Sequence, residues 1–190
     1  MMTIDYFKKL RKKIINEYKR RDLIGRIRFY IEGHPADVPG NYLKNPMPAP
    51  RLNYKMRHTK KSIDYETWKS YVWESFNESL EIITFGKVKE GELFEIIDDN
   101  KDIKMRINAF IIFNVKLAKR GDPENIIKGI TDALIHVYTK GRGKRKVLDK
   151  RLLRDDNNVV TNYDYSEGKI PAIEVVIDIF RIKEKIKERK

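Results

Sequence analysis

The sequence predicts an α/β domain of the α+β kind: a small mixed four-stranded sheet packed with helices. Three observations predict it. Residues 104–117 (KMRINAFIIFNVKL) alternate strictly, placing Met105, Ile107, Ala109, Ile111, Phe113, Val115 and Leu117 on one face with the period of a strand. Two other segments, 63–84 and 123–138, instead repeat their apolar residues at helical spacing. The 190 residues are 41 % hydrophobic, with 10 Tyr, 8 Phe and 2 Trp, which is enough for a single domain with a real core.

Taken in chain order, residues 3–22 put Ile4, Phe7, Leu10, Ile14 and Tyr18 on one stripe amid Lys and Arg, so residues 1–24 read as a basic amphipathic N-terminal helix. GRIRFYIE (25–32) reads as a short strand. Residues 34–61 hold five prolines and no sustained period, and so long a loop inside a compact domain is uncommon unless it works on something. Tyr65, Trp68, Val72, Phe76, Leu80 and Ile83 mark the helix of 63–84, opening near Ser62 or Asp64. Residues 86–102 form a charged connection with a short strand expected at Leu93–Ile97. The Asp98–Asp99 pair beyond it reads as part of a solvated loop.

After the strand of 104–117 comes the helix of 123–138, whose buried stripe is Ile126, Ile130, Ala133, Leu134 and Val137. Two further strands fit at 157–165 and 171–182, joined by the turn Ser166-Glu167-Gly168-Lys169. The second of them sets Ile173, Val175, Ile177 and Ile179 on one face. The main domain is therefore expected over 25–182, with a basic tail at 183–190.

Several classes are excluded or disfavoured. No apolar run approaches the roughly 20 residues that span a bilayer, and residues 1–21 lack the apolar core and cleavage site of a secretory signal. A cytoplasmic or nucleoid-associated protein, neither secreted nor membrane-bound, is the expectation. With no Cys there is no disulfide, thiol nucleophile or zinc–thiolate centre. His34, His58 and His136 are too few and scattered for a zinc site, and each is expected in a loop or on the surface.

The net charge is +13, and the excess is clustered. Residues 1–21 carry eight basic and two acidic side chains, and 44–61 carry six basic and none acidic. Residues 139–154 carry eight basic and one acidic, and the last ten carry six against two. Clusters of this kind suit a polyanion, because each neutralised phosphate releases condensed counterions.

Against that background, RGDPENIIKGITDAL (120–134) opens with acids. Asp122 is a good N-cap, Pro123 suits the first helical position, and Glu124 lies where the helix dipole favours negative charge. Helix initiation alone accounts for them, and Glu124, Lys128 and Asp132 at i, i+4, i+8 would serve equally as surface ion pairs. A second acidic pair, Asp155–Asp156, sits just before a strand and beside the most basic loop. Adjacent carboxylates in a positive region are what a divalent cation on a phosphodiester requires.

At these residues the chain resembles the RusA family of Holliday-junction resolvases. The family pattern D-x-D-N-x-x-K-x-x-x-D-A-L followed by L-x-D-D-x-x-V appears as Asp122-Pro123-Glu124-Asn125, Lys128, Asp132-Ala133-Leu134 and then Leu153-Arg154-Asp155-Asp156, Val159. A Pro- and Arg-rich stretch around 46–68 is a looser match, and the resemblance spans about 26–182. It implies a RusA-like fold and a Mg²⁺-dependent endonuclease, with Mn²⁺ as the alternative cation. It also implies Asp122, Glu124 and Asp156 as metal-binding and catalytic carboxylates, Lys128 as the catalytic lysine, Asp155 as support, and Asn125 and Asp132 as scaffold. Glu124 departs from the family's Asp by one methylene, and the connection from Leu134 to Leu153 is longer and more basic.

On this reading the carboxylates hold the cation on the scissile phosphate, and Lys128 stabilises developing charge or orients water. DNA contacts are expected from Arg51, Tyr54, Lys55 and Arg57 in the long loop, where aromatic and basic residues interleave. Lys119 and Arg120 before the acidic helix, and Lys140, Arg142, Lys144, Arg145 and Lys146 in the basic arm, complete the set. Paired nicking of a four-way junction implies a homodimer, by analogy with the family. The rival readings are a nuclease for flaps, forks or RNA, and a non-catalytic architectural DNA-binding protein.

Overall fold

The computed structural model describes residues 23–32, 60–86, 88–99, 102–114, 122–139 and 146–181. The expected N-terminal helix, most of the proline-rich loop and the basic tail lie outside them. So do Arg51, Tyr54, Lys55, Arg57, Lys119, Arg120, Lys140, Arg142, Lys144 and Arg145. The elements run β1 (Leu23–Ile31), α1 (Lys60–Ser79), β2 (Glu81–Thr84), α2 (Glu90–Asp99), β3 (Ile103–Asn114), α3 (Pro123–Leu134), β4 (Val137–Tyr138), β5 (Val147–Asp149), β6 (Val159–Gly168) and β7 (Ala172–Arg181).

The mixed α+β class is as expected, but the main sheet has five strands, in the order β2-β1-β7-β3-β6, and β4–β5 form a separate ribbon. All neighbours are antiparallel except β3 and β6, which run parallel. That parallel pair requires a crossover, and α3 lies within it. Ile27, Phe29 and Ile31 of β1, Met105, Ile107 and Ala109 of β3, and Ile173, Val175, Ile177 and Ile179 of β7 face the core. Trp68, Val72 and Phe76 of α1, Leu93 and Ile97 of α2, and Ile126, Ile130 and Leu134 of α3 meet them there.

Three expectations need correction. The helix expected over 63–84 stops at Ser79, and Glu81–Thr84 pairs with β1 as an edge strand. Ser79 fixes the stop: its Oγ accepts the Tyr30 N–H at 2.8 Å and lies 2.7 Å from the Ser75 carbonyl, tying the helix end to β1. The β-branched Ile82, Ile83 and Thr84 then favour the extended chain.

The strand expected at Leu93–Ile97 is part of helix α2. Leu93 and Ile97, spaced i and i+4, are both fully buried, and Glu90 and Glu92 sit in the first turn where the dipole favours them. Helix α2 approaches β1 so closely that a Cβ on Gly25 would lie 2.7 Å from Leu93 Cδ1.

The helix expected to reach 138 ends at Leu134, and Ile135 turns extended. The freed backbone is paired at once: Leu153 N–H donates to Leu134 O and His136 N–H to Leu153 O, each at 2.8 Å. This join places Leu153-Arg154-Asp155-Asp156 beside α3, although 18 residues separate Leu134 from its partner Leu153.

Candidate active site

Asp122 caps α3 as the sequence implies. Its backbone is extended, its Oδ1 accepts the Glu124 N–H at 3.1 Å, and its Oδ2 accepts the Asn125 side-chain amide at 2.8 Å. Pro123 occupies the first turn, where no partner for its missing N–H is needed. Ile126, Ile127 and Ile130 are buried, which fixes the rotation of the helix and turns Glu124 and Lys128 outward.

Glu124, Asn125, Lys128 and Asp132 line one side of a pocket of about 300 Å³, and Asp156, Val159 and Thr161 line the other. Glu124 and Asp156 are 32 positions apart in sequence, and the Leu134–Leu153 join brings them to one cavity. Asp156 is held there by a turn in which Val159 N–H donates to its carbonyl at 3.1 Å.

The two neighbouring acids go elsewhere. Asp122, exposed, has its oxygens on the N–H groups of its own helix start and does not line the pocket. Asp155 Oδ1 accepts the Asn157 N–H at 3.0 Å, and the side chain borders a different, larger groove.

Within the pocket Asp132 has both oxygens committed. Tyr65 O–H donates to Oδ2 at 2.7 Å, and Lys128 Nζ lies 3.4 Å from Oδ1. Burial, reinforced by the Asp132 hydrogen bond, raises the Tyr65 hydroxyl above its ordinary value, so it remains a proton donor at neutral pH.

The larger groove, about 1150 Å³, runs between α1, α2 and the β4–β5 ribbon, and it corrects two expectations. His136 stands in the irregular segment between α3 and β4, in keeping with a loop position, but is buried rather than at the surface: its Nδ1 accepts the Arg151 N–H at 3.2 Å and its Nε2 lies 3.1 Å from Asp98 Oδ1. With Nδ1 an acceptor, the ring proton belongs on Nε2, which donates to Asp98. Asp98 in turn closes the last turn of α2 and also meets Lys150 Nζ at 2.8 Å, rather than standing in a solvated loop. The Lys150 hydrogen bond, then the His136 one, hold its carboxyl below the usual range.

Lys146, from the expected DNA-contacting set, is exposed at the base of the ribbon, where Thr139 N–H donates to its carbonyl at 2.8 Å. Sequence reasoning missed Tyr65, whose hydroxyl bonds the pocket-lining Asp132, and His136, which lines the larger groove. Tyr65 had been absorbed into a buried stripe, a pattern that carries no signal for its hydroxyl.

A chain of this kind is a mixed α+β domain whose crossover helix, with β6 and the turn before it, borders a carboxylate–lysine pocket. No protein-family model matches the chain, and no curated protein matches it.

Among the described residues no three His, Asp or Glu side chains group closely enough to cage a metal by themselves. Glu124 and Asp156 still fit Mg²⁺ by donor chemistry. That ion takes hard oxygens, keeps several waters, and is commonly held by one or two carboxylates together with substrate phosphate.

Proposed function

We propose that the chain is a Mg²⁺-dependent, structure-selective DNA endonuclease that resolves four-way junctions. The observation that carries the reading is the convergence of Glu124, Lys128 and Asp156 on one pocket, three residue types that phosphodiester hydrolysis uses, from two segments that resemble the RusA pattern. The net charge of +13 supports a polyanionic substrate.

Glu124 and Asp156 would hold the cation, Mg²⁺ or Mn²⁺, and Asp122 would join them only by giving up its cap. When bound, the cation polarises the phosphate and lowers the pKa of water. Lys128, exposed at the rim, places positive charge where a non-bridging phosphate oxygen gains negative charge during in-line attack. Thr161 and Asn125 add neutral hydrogen-bonding groups to the wall. Paired incision of a four-way junction calls for two such pockets, hence a homodimer acting in the cytoplasm or nucleoid.

The test is a synthetic four-way junction with each strand end-labelled in turn, compared with a flap and a fork of the same sequence. Wild type is expected to nick the junction symmetrically in Mg²⁺ and not in EDTA. Glu124→Gln and Asp156→Asn should bind the junction as tightly or more tightly and lose at least a hundredfold in nicking, as expected when a metal-holding charge is removed. Preferred cutting of the flap or fork would move the substrate within the class. Binding without nicks in every lane would leave an architectural DNA-binding protein.

A further inference from the structure

We propose that Tyr65 is a positioning residue that acts through Asp132 to hold the Lys128 ammonium at the pocket. The inference rests on the nuclease reading above, which gives Lys128 its work. Lys128 has a flexible four-carbon stem, and its side chain is 61 % exposed. Left alone, such a chain samples many rotamers, and an exposed i, i+4 ion pair restrains it only weakly. Asp132 could not be a reliable anchor by itself, because it is half-buried on the same helix face and free to rotate. Tyr65 removes that freedom.

The Tyr65 ring is 6 % exposed on α1 and its hydroxyl meets Asp132 Oδ2 at 2.7 Å, leaving Oδ1 for Lys128. The ring is itself fixed by the close approach of α1 to α3 at Gly129. A Cβ there would lie 3.4 Å from Tyr65 Cε2 and 3.2 Å from Trp68 Nε1. A core helix thus orients a surface lysine through one buried hydroxyl. Asp132, with both oxygens taken, is a tether for a cation and not a further metal ligand.

The relay predicts a rate effect without a binding effect. A misplaced catalytic group loses its contribution to the reaction while substrate contacts made elsewhere are unchanged. Tyr65→Phe, which keeps the ring and removes only the hydroxyl, should lower the Mg²⁺-dependent nicking kcat by about tenfold, with KM for the junction within about twofold. Asp132→Asn keeps an acceptor for Tyr65 but loses the charge that holds Lys128, and should show the same split. It serves as the second variant if Tyr65→Phe folds poorly. Lys128→Ala is the reference.

If Lys128→Ala is inactive while Tyr65→Phe and Asp132→Asn nick at the wild-type rate, the relay is overturned and the nuclease reading stands. If kcat and KM change together in proportion to lost thermal stability, the two residues are merely structural and the relay is again overturned. If the wild type itself does not nick, the nuclease reading fails, and the relay fails with it.

Discussion

The Nε2 of His136 lies 3.1 Å from Oδ1 of Asp98, joining the last turn of α2 to the segment that leaves α3. The same carboxylate meets Lys150, so three elements that border the larger groove share one acid.

Because Lys150 and His136 hold the Asp98 carboxyl below its ordinary value, the folded state binds this proton less readily than the unfolded chain does. Its contribution to stability is therefore fully present above about pH 4 and is lost as pH falls through the lower folded value. The side chain is 37 % exposed, so solvent screening keeps the effect to about 0.5 kcal/mol. Urea unfolding at pH 6 and pH 3 should show Asp98→Asn less stable than wild type at the higher pH and nearly equal to it at the lower. An Asn variant that loses as much at pH 3 as at pH 6 would mean the charge is not what matters.

How much of this was legible in the sequence depends on the range of the interaction. The Asp122-Pro123 start of α3 and the alternation of β3 are local signals: the helix starts where expected, and the strand forms over the described part of its expected range. Leu93-Phe94-Glu95-Ile96-Ile97 is too short to separate period 2 from period 3.6, and α2 is decided by burial of Leu93 and Ile97 against the sheet. Leu80 and Ile83 continue the helical period of α1, which hid β2 until Ser79 found its partner at Tyr30. At the site, the carboxylates could be named from their residue types. The separation of Asp155 from Asp156 into two cavities depends on backbone pairing at Leu153, which no local pattern carries.

The cap at Asp122 separates a folding role from a metal role. Asp122→Ala removes the acceptor for Glu124 N–H and should lower stability by about 1 kcal/mol, whereas Asn, an equally good N-cap, should restore it. If Glu124 and Asp156 hold the cation alone, Asp122→Asn also nicks within a few-fold of wild type. Loss of nicking in a stably folded Asn variant would instead place Asp122 among the metal ligands.

At Gly129 two effects oppose one another. Replacing a helical glycine normally stabilises by up to about 1 kcal/mol. Here a Cβ would press on Nε1 of the fully buried Trp68 at 3.2 Å, so the indole would have to shift to admit it. Gly129→Val brings a branched side chain, which recovers less of the helix propensity and adds bulk between α1 and α3. Overpacking should therefore win, at about 1–3 kcal/mol by chemical denaturation. A Val variant as stable as wild type would show that the two helices can separate without cost.

The far face of the sheet carries charge that the core face does not. Asp178 of β7 is fully buried, directly opposite Arg26 of β1 and Arg106 of β3 in register, and Arg26 Nε lies 2.5 Å from its Oδ1. One row further along, Arg28 Nε lies 2.9 Å from the buried Glu174. Asp178 Oδ2 has no hydrogen-bond partner among the described residues, so the carboxylate depends on ion pairing to offset its lost hydration. Asp178→Ala would leave Arg26, 12 % exposed, without its counter-charge and should cost about 3–5 kcal/mol. Replacing the pair together, as Arg26→Met with Asp178→Leu, removes both desolvation costs and should recover most of that loss, because the penalty belongs to the uncompensated charge rather than to the missing bond. A double variant as unstable as the single one would show that Arg26 and Asp178 do not act as a pair, and would make Arg106 the next partner to test.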